Sequence, residues 1–339
     1  MPVISRLVKA GLLLTMAFAS ASGSAQTDTV PAKFSYVPKV HGVVRPRWEM
    51  ETESGLQRFQ VANARLWADG NIAPWADYRV LVDFCDQGTV KFIDAWVRFK
   101  SQKGWNVQLG QFRMPFGVDP FRGPQSYYFA NRSFIGKQVC NHRSPGIMAG
   151  YAAAAFPLTV SAGVFNPSPF GSHNVWKHGV SYSGKVLYSP GHWQLATGFM
   201  SVRPGSVRAN MVDAAVTWNS GRWLVEGEYI WEHYCAEGFK DTHAYNFFAD
   251  YHMPLKLAWF NRLSFQGRFD GMTLHRNLTT LDNEAARNRV TLGATISYIR
   301  AAGVHLDLRV NYEQYFYHHG YETPQSQGNK LVAEAVFAF

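Results

Sequence analysis

The chain has 339 residues, 15% of them aromatic and only 17% charged, with a formal net charge of +9. Soluble domains carry about 25% charged residues, so this composition argues against an ordinary soluble enzyme. Three cysteines, Cys85, Cys140 and Cys235, are too few for a disulfide scaffold and too scattered for a metal site.

The first element in chain order is an export signal at 1–25. Arg6 and Lys9 supply a positive start, "AGLLLTMAFA" (10–19) an apolar run too short to span as a helix, and "GSA" (23–25) small residues at a cleavage point. Removal of this segment lowers the net charge to +7, because Arg6 and Lys9 leave with it. Residues 26–40 then read as a short periplasmic segment, and 41–339 as a single β domain.

From residue 41 the apolar residues alternate with period two. In "DYRVLVDF" (77–84), Tyr78, Val80, Val82 and Phe84 share one face, while Asp77, Arg79, Leu81 and Asp83 share the other. In "HLDLRVNYE" (305–313), Leu306, Leu308, Val310 and Tyr312 oppose His305, Asp307, Arg309, Asn311 and Glu313. Sixteen such strands are expected, near 41–51, 57–67, 76–85, 89–99, 105–113, 146–155, 158–166, 177–188, 192–202, 209–218, 222–233, 243–252, 261–271, 287–299, 304–316 and 329–339. They are longer than the usual five or six residues, and their second face carries charges of both signs, as a wet lumen allows.

Connections after even-numbered strands are mostly short ("AFP", "SPG", "NSG", "AAG"). Several after odd-numbered strands are long, above all 114–145. Short turns alternating with long loops mark a transmembrane β-barrel of the outer membrane. Hydrocarbon requires every backbone group to be paired, so strands can span it only as a closed barrel, and sixteen leave an aqueous channel. A secreted β-sandwich binding protein is the rival all-β fold, and an outer-membrane barrel enzyme of lipase or protease type the rival function. No Ser/His or acidic constellation serves an enzyme: "GVSYSG" (179–184) lacks the spacing of a nucleophile elbow. No cofactor is called for, and nothing points to nucleic acid.

The last strand, "KLVAEAVFAF" (330–339), ends on Phe339. It resembles the terminal signal of bacterial outer-membrane barrels, which implies the barrel assembly machinery as a partner. "VQLGQFRMPFG" (107–117) is similar to the Gly-Gln-Phe-Lys/Arg-x-Pro-Phe pattern of the phosphate-selective porin O and P family, and "FQVANARLWADGNI" (59–72) and "DAWVRFK" (94–100) add to it. The resemblance covers roughly 41–150. It implies a sixteen-stranded trimeric porin in a Gram-negative outer membrane, surrounded by lipid and passing small anions such as phosphate or chloride. The second strand departs from the family: it reads Ala62-Asn63-Ala64-Arg65 where Arg-Arg-Ala-Arg is usual. A general porin with a modest anion preference is therefore expected over a dedicated phosphate site.

Strand parity puts Arg45, Arg47, Arg65, Arg79, Arg98, Arg262, Arg268 and Arg309 on the lumen face, among acids such as Asp77, Asp83, Asp94 and Asp270. Pro115 cannot donate to a sheet ladder, so the wall is expected to end there, with Arg113 at the point of departure. The long connection 114–145 holds Arg122, Arg132, Lys137 and Arg143 against one acid, Asp119. Its aromatic and proline content fits a packed loop. Porins of this architecture fold that loop into the lumen, where a positive constriction would favour anions. Cys85 and Cys140, on neighbouring outer loops, are the expected disulfide.

Overall fold

In the computed structural model the described residues are 34–85, 89–168, 171–172, 175–301, 303–317 and 327–339. The export signal at 1–25 and most of the segment 26–40 lie outside them. The first strands are β1 (Lys39–Glu51), β2 (Gln57–Ala73), β3 (Ala76–Asp83), β4 (Lys91–Lys100), β5 (Trp105–Arg113) and β6 (Arg143–Ala152). Next come β7 (Leu158–Phe165), β8 (Ser181–Tyr188), β9 (Trp193–Val202), β10 (Ala209–Ser220), β11 (Trp223–Tyr234), β12 (Thr242–Pro254) and β13 (Arg262–Met272). A two-residue pair, β14 (His275–Arg276) and β15 (Asn283–Glu284), sits within one loop. The wall resumes with β16 (Arg287–Ala301), β17 (Val304–Tyr317) and β18 (Lys330–Ala338).

All except β14 and β15 form one closed antiparallel barrel of sixteen strands, β18 pairing with β1. A closed ring leaves no free sheet edge, which is what a hydrocarbon environment demands and what a sandwich would not provide. β14 and β15 were not expected. They belong to the 273–286 connection, and two bridged pairs are too short for alternation to reveal.

Strand parity is visible in every stretch quoted above. Along β11, Glu226, Glu228, Ile230 and Glu232 are buried inward, while Val225, Tyr229 and Trp231 are exposed outward. At the short-turn end, outward rings pair off: Trp75 with Phe99, Trp105 with Tyr151, Trp193 with Trp218 and Trp223 with Tyr251. Amphipathic rings in this position form an interfacial girdle. The β1–β18 ladder that closes the ring runs from Val43 opposite Ala338 to Glu51 opposite Lys330. Phe339 exchanges two backbone hydrogen bonds with Gly42 (2.9 and 3.1 Å), and its ring fills the space above that glycine, where a Cβ would come within 2.3 Å.

One boundary is corrected. The long connection ends at residue 142 rather than 145, because Arg143 begins β6 and stands opposite Arg113 in the ladder. Pro145 lies inside the strand. It has no N–H to give, yet its carbonyl still accepts from Asn166 (2.8 Å), so the strand runs through it.

Candidate functional site

The chain leaves the wall after Arg113. Met114 N–H still reaches the His142 carbonyl at 3.2 Å, and Pro115 then ends the pairing. Gly117 turns the backbone with φ of +74°, a left-handed value that favours glycine. A Cβ there would also meet Glu228 Oε1 at 2.9 Å and Cys140 Sγ at 3.2 Å. Beyond it, Val118 and Asp119 donate their N–H groups to the Glu228 carboxylate of β11 at 2.6 and 2.9 Å, and Lys185 of β8 donates to the Gly117 carbonyl. A segment rooted between β5 and β6 that bonds β8 and β11 lies inside the ring.

Its apolar side chains hold it there. Met114, Phe116, Phe134, Ile135, Val139 and Cys140 are buried with Phe165, Met200, Met211 and Ile230 from the lumen faces of β7 to β11. Full burial of such a side chain is worth roughly 1.5–3 kcal/mol. Buried ion pairs are near neutral overall, so the apolar cluster supplies the docking energy and the polar contacts set the register.

Those contacts form two unlike groups. Along β1 and β13 to β18, arginines reach into the crossing segment and bond its carbonyl oxygens. Arg45 donates to Ala130 (2.7 Å), Arg268 to Asn131 (2.8 Å), Arg289 to Arg132 (2.8 Å) and Arg309 to Tyr127 (2.6 Å). Arg47 donates to the Asn131 side chain at 2.9 Å. Their charges are met by wall carboxylates: Glu334 by Arg45 and Arg309, and Asp270 by Arg289 and Arg268. In return, Glu313 accepts from Asn131 and Asp270 from the Phe134 N–H. Arg122, on the segment itself, bonds Asp119 at 2.9 Å and also Glu226 of β11. Arg45, Arg122, Arg268, Arg289 and Arg309 are all buried.

Along β2 to β6 the arginines instead pair with carboxylates one or two strands away and stay partly exposed. Arg65 meets Asp83 at 2.7 Å, Arg79 meets Asp69 at 2.5 Å, Arg98 meets Asp77 at 2.8 Å and Arg143 meets Asp94 at 2.9 Å. The first three are directly opposed residues in the ladder, so register alone makes the pairs. Arg113 and Arg132 have no carboxylate partner among the described residues; both donate to the Asn141 amide oxygen, at 3.1 and 3.4 Å. Lys137 is exposed and forms no ion pair among the described residues.

The local potential around the segment is positive. Burial alone would raise the Tyr127 phenol, yet the guanidinium groups of Arg132, Arg65, Arg45 and Arg113 bring it below its ordinary value. Tyr128, screened from most of them, is pushed by burial up to about 12. Burial also works against ionised Asp119, but Arg122, Arg132 and the Ser133 hydroxyl (2.5 Å) outweigh it and hold the carboxyl below its usual range.

The expected Cys85–Cys140 disulfide is corrected: all three cysteines are free. Cys140 travels into the lumen with the crossing segment and is buried there, while Cys85 stays at the end of β3 with its N–H on Asp83. Sequence reasoning also overlooked Arg289 and the acids Glu226, Glu228 and Glu334. Their parity was legible. Three glutamates at 226, 228 and 232 share one face of a single strand, and Glu334 is the only acid of the last one.

A family model for phosphate-selective porin O and P matches residues 50–202. No curated protein matches the sequence. Among solved structures, the chain is similar to the trimer form of OmpT, an outer membrane protein of Vibrio cholerae. That match has a TM-score of 0.61 and 14% identity over 89% of this chain and 99% of that one. It is similar to the outer membrane channel DcaP of Acinetobacter baumannii, at a TM-score of 0.63 and 13% identity over 89% and 97%. An anion-selective porin from Comamonas acidovorans aligns at 0.57 and 12% over 89% and 99%. At these identities the likeness establishes the barrel fold.

Proposed function

We propose that this outer-membrane porin, whose residues 50–202 match the family model for phosphate-selective porin O and P, passes small hydrophilic solutes with a modest preference for anions. One observation carries the preference. Arg113 and Arg132 meet at Asn141 without a carboxylate, beside a wall whose other arginines are neutralised one for one. The segment 114–142 acts as the constriction. It narrows the lumen on the side of β7 to β18, which leaves the aqueous path along β2 to β6, where Arg113 and Arg132, neither in an ion pair among the described residues, add positive potential. A low-dielectric wall focuses their field on passing ions. The mechanism is electrodiffusion filtered by size and charge, with no catalytic step or cofactor.

The paired near wall argues against a dedicated phosphate site. A dianion needs several unpaired donors converging on it, and here Arg65, Arg79 and Arg98 already serve Asp83, Asp69 and Asp77. A homotrimer in outer-membrane lipid, assembled through the strand ending in Phe339, completes the proposal; OmpT, described as a trimer, supports it by fold. The deciding measurement is the reversal potential across a planar bilayer under a chloride gradient, repeated with phosphate. Chloride selectivity without phosphate block is expected. A cation-selective reversal potential would overturn the anion preference, and strong phosphate block would restore the dedicated site.

A further inference from the structure

Beside the crossing segment lies a pocket of about 190 Å³. Its walls are the returning arm of the crossing segment (137–143), the turn at 166–168, the end of β9 and the loop carrying β14 and β15. No aspartate or glutamate lines it. Lys137 and Arg143 do, and Arg143 uses only its Nε on Asp94.

The amides add to this bias. Asn141 spends its side-chain oxygen on Arg113 and Arg132, and Asn277 spends its own on the N–H groups of Thr279 and Thr280. Their nitrogens are left as donors to the pocket. Four apolar side chains, Met114, Val139, Val202 and Leu278, share the lining with the hydroxyls of Ser144, Ser168, Ser181 and Thr279 and with His275. His142 Nε2 and Gln138 Oε1 are buried here without a hydrogen-bond partner, a deficit that a water entering with an occupant relieves.

Donors and cations beside apolar walls, with no carboxylate to repel a negative ligand, define one chemical class. We propose that this pocket binds a small organic carboxylate with an apolar body, held by Lys137, Arg143 and the asparagine amides and covered by the four apolar side chains. Inorganic phosphate would leave the apolar walls unmatched, and a neutral apolar molecule would leave the cations unmatched. The inference rests on the porin reading only for where the ligand comes from.

The test is isothermal titration of the full barrel refolded in detergent, with benzoate, inorganic phosphate and benzyl alcohol as probes. Benzoate is expected to bind in the millimolar range, and the other two about tenfold more weakly or not at all. Lys137→Gln should weaken benzoate roughly tenfold by removing a charge-assisted bond. Thr279→Trp, at an exposed lining position, should fill the pocket and abolish benzoate binding while single-channel conductance is unchanged. Phosphate binding as tightly as benzoate, or benzoate binding indifferent to Thr279→Trp, would overturn the proposal. Titration does not depend on conduction. A conducting barrel that ignores benzoate sinks this pocket alone, and a benzoate-binding barrel that carries no current sinks the porin reading alone.

Discussion

Two walls of one barrel use arginine for opposite ends. On β1 and β13 to β18, arginines are buried and hold the crossing segment by its carbonyl oxygens, each charge answered by Glu334, Asp270 or Glu313. On β2 to β6 the same residue type stays at the water's edge, paired with a carboxylate on the next strand. The difference lies in what faces each wall. A protein segment excludes water and turns a guanidinium into a structural donor, whereas on β2 to β6 the guanidinium keeps a partly exposed side chain and only a carboxylate to serve. Positive residues in a pore are therefore not equivalent contributors to its field, and a count of arginines overstates selectivity.

The largest effect should come from removing a carboxylate on the buried wall. Asp270→Ala would leave Arg289 and Arg268 short of their shared partner and the Phe134 N–H without an acceptor. A loss of about 3–5 kcal/mol is expected, read as a lower urea midpoint for the barrel; a change under about 1 kcal/mol would mean that the wall does not hold the segment. Gly117→Ala comes next. It combines a left-handed backbone with a contact against Glu228, should cost about 1–3 kcal/mol, and should loosen the crossing segment enough to raise single-channel conductance. Unchanged conductance would separate the turn from the constriction.

A smaller effect separates the two walls directly. Arg132→Gln removes a guanidinium that is in no ion pair among the described residues and should lower the chloride-to-potassium permeability ratio about threefold, since a unit charge at about 5 Å from an ion acts with a little under 1 kcal/mol in water. Arg45→Gln, on the buried wall, should leave the ratio unaltered. Equal shifts from the two variants would erase the distinction drawn here.

The smallest effect is confined to one outer loop. His275 is buried between Glu232 and Glu284, each 3.3 Å from a ring nitrogen. Burial opposes its charge, but these two carboxylates raise its pKa to about 9. A folded value above the unfolded one means that the tether is fully present below about pH 6.5 and is lost as pH rises through about 9. The protection of amides in 275–284, taken relative to the intrinsic exchange rate at each pH, should fall across that window at constant barrel stability, and unchanged protection would count against a charged His275.

Period-two alternation, the short and long connections and the terminal Phe339 were enough to specify a sixteen-stranded barrel, because lipid on one side and water on the other leave each strand only one workable orientation. Even the cross-strand pairs of β2 to β4 were implicit in it, since Asp77 and Arg98, or Arg65 and Asp83, meet wherever the register is right. Nothing local could announce that Arg45, Arg268 and Arg309 would be buried, that Arg143 begins a strand, or that Cys140 would be carried away from Cys85. Those outcomes depend on where residues 114–142 lie relative to walls more than a hundred residues away in sequence, as in the bond from Val118 to Glu228 or from Arg309 to Tyr127. Parity states only that a side chain faces inward. Whether inward means water or protein is decided when the segment docks, by the apolar cluster around Phe116, Ile135 and Met211, whose members are each unremarkable in the sequence and become a core only in three dimensions.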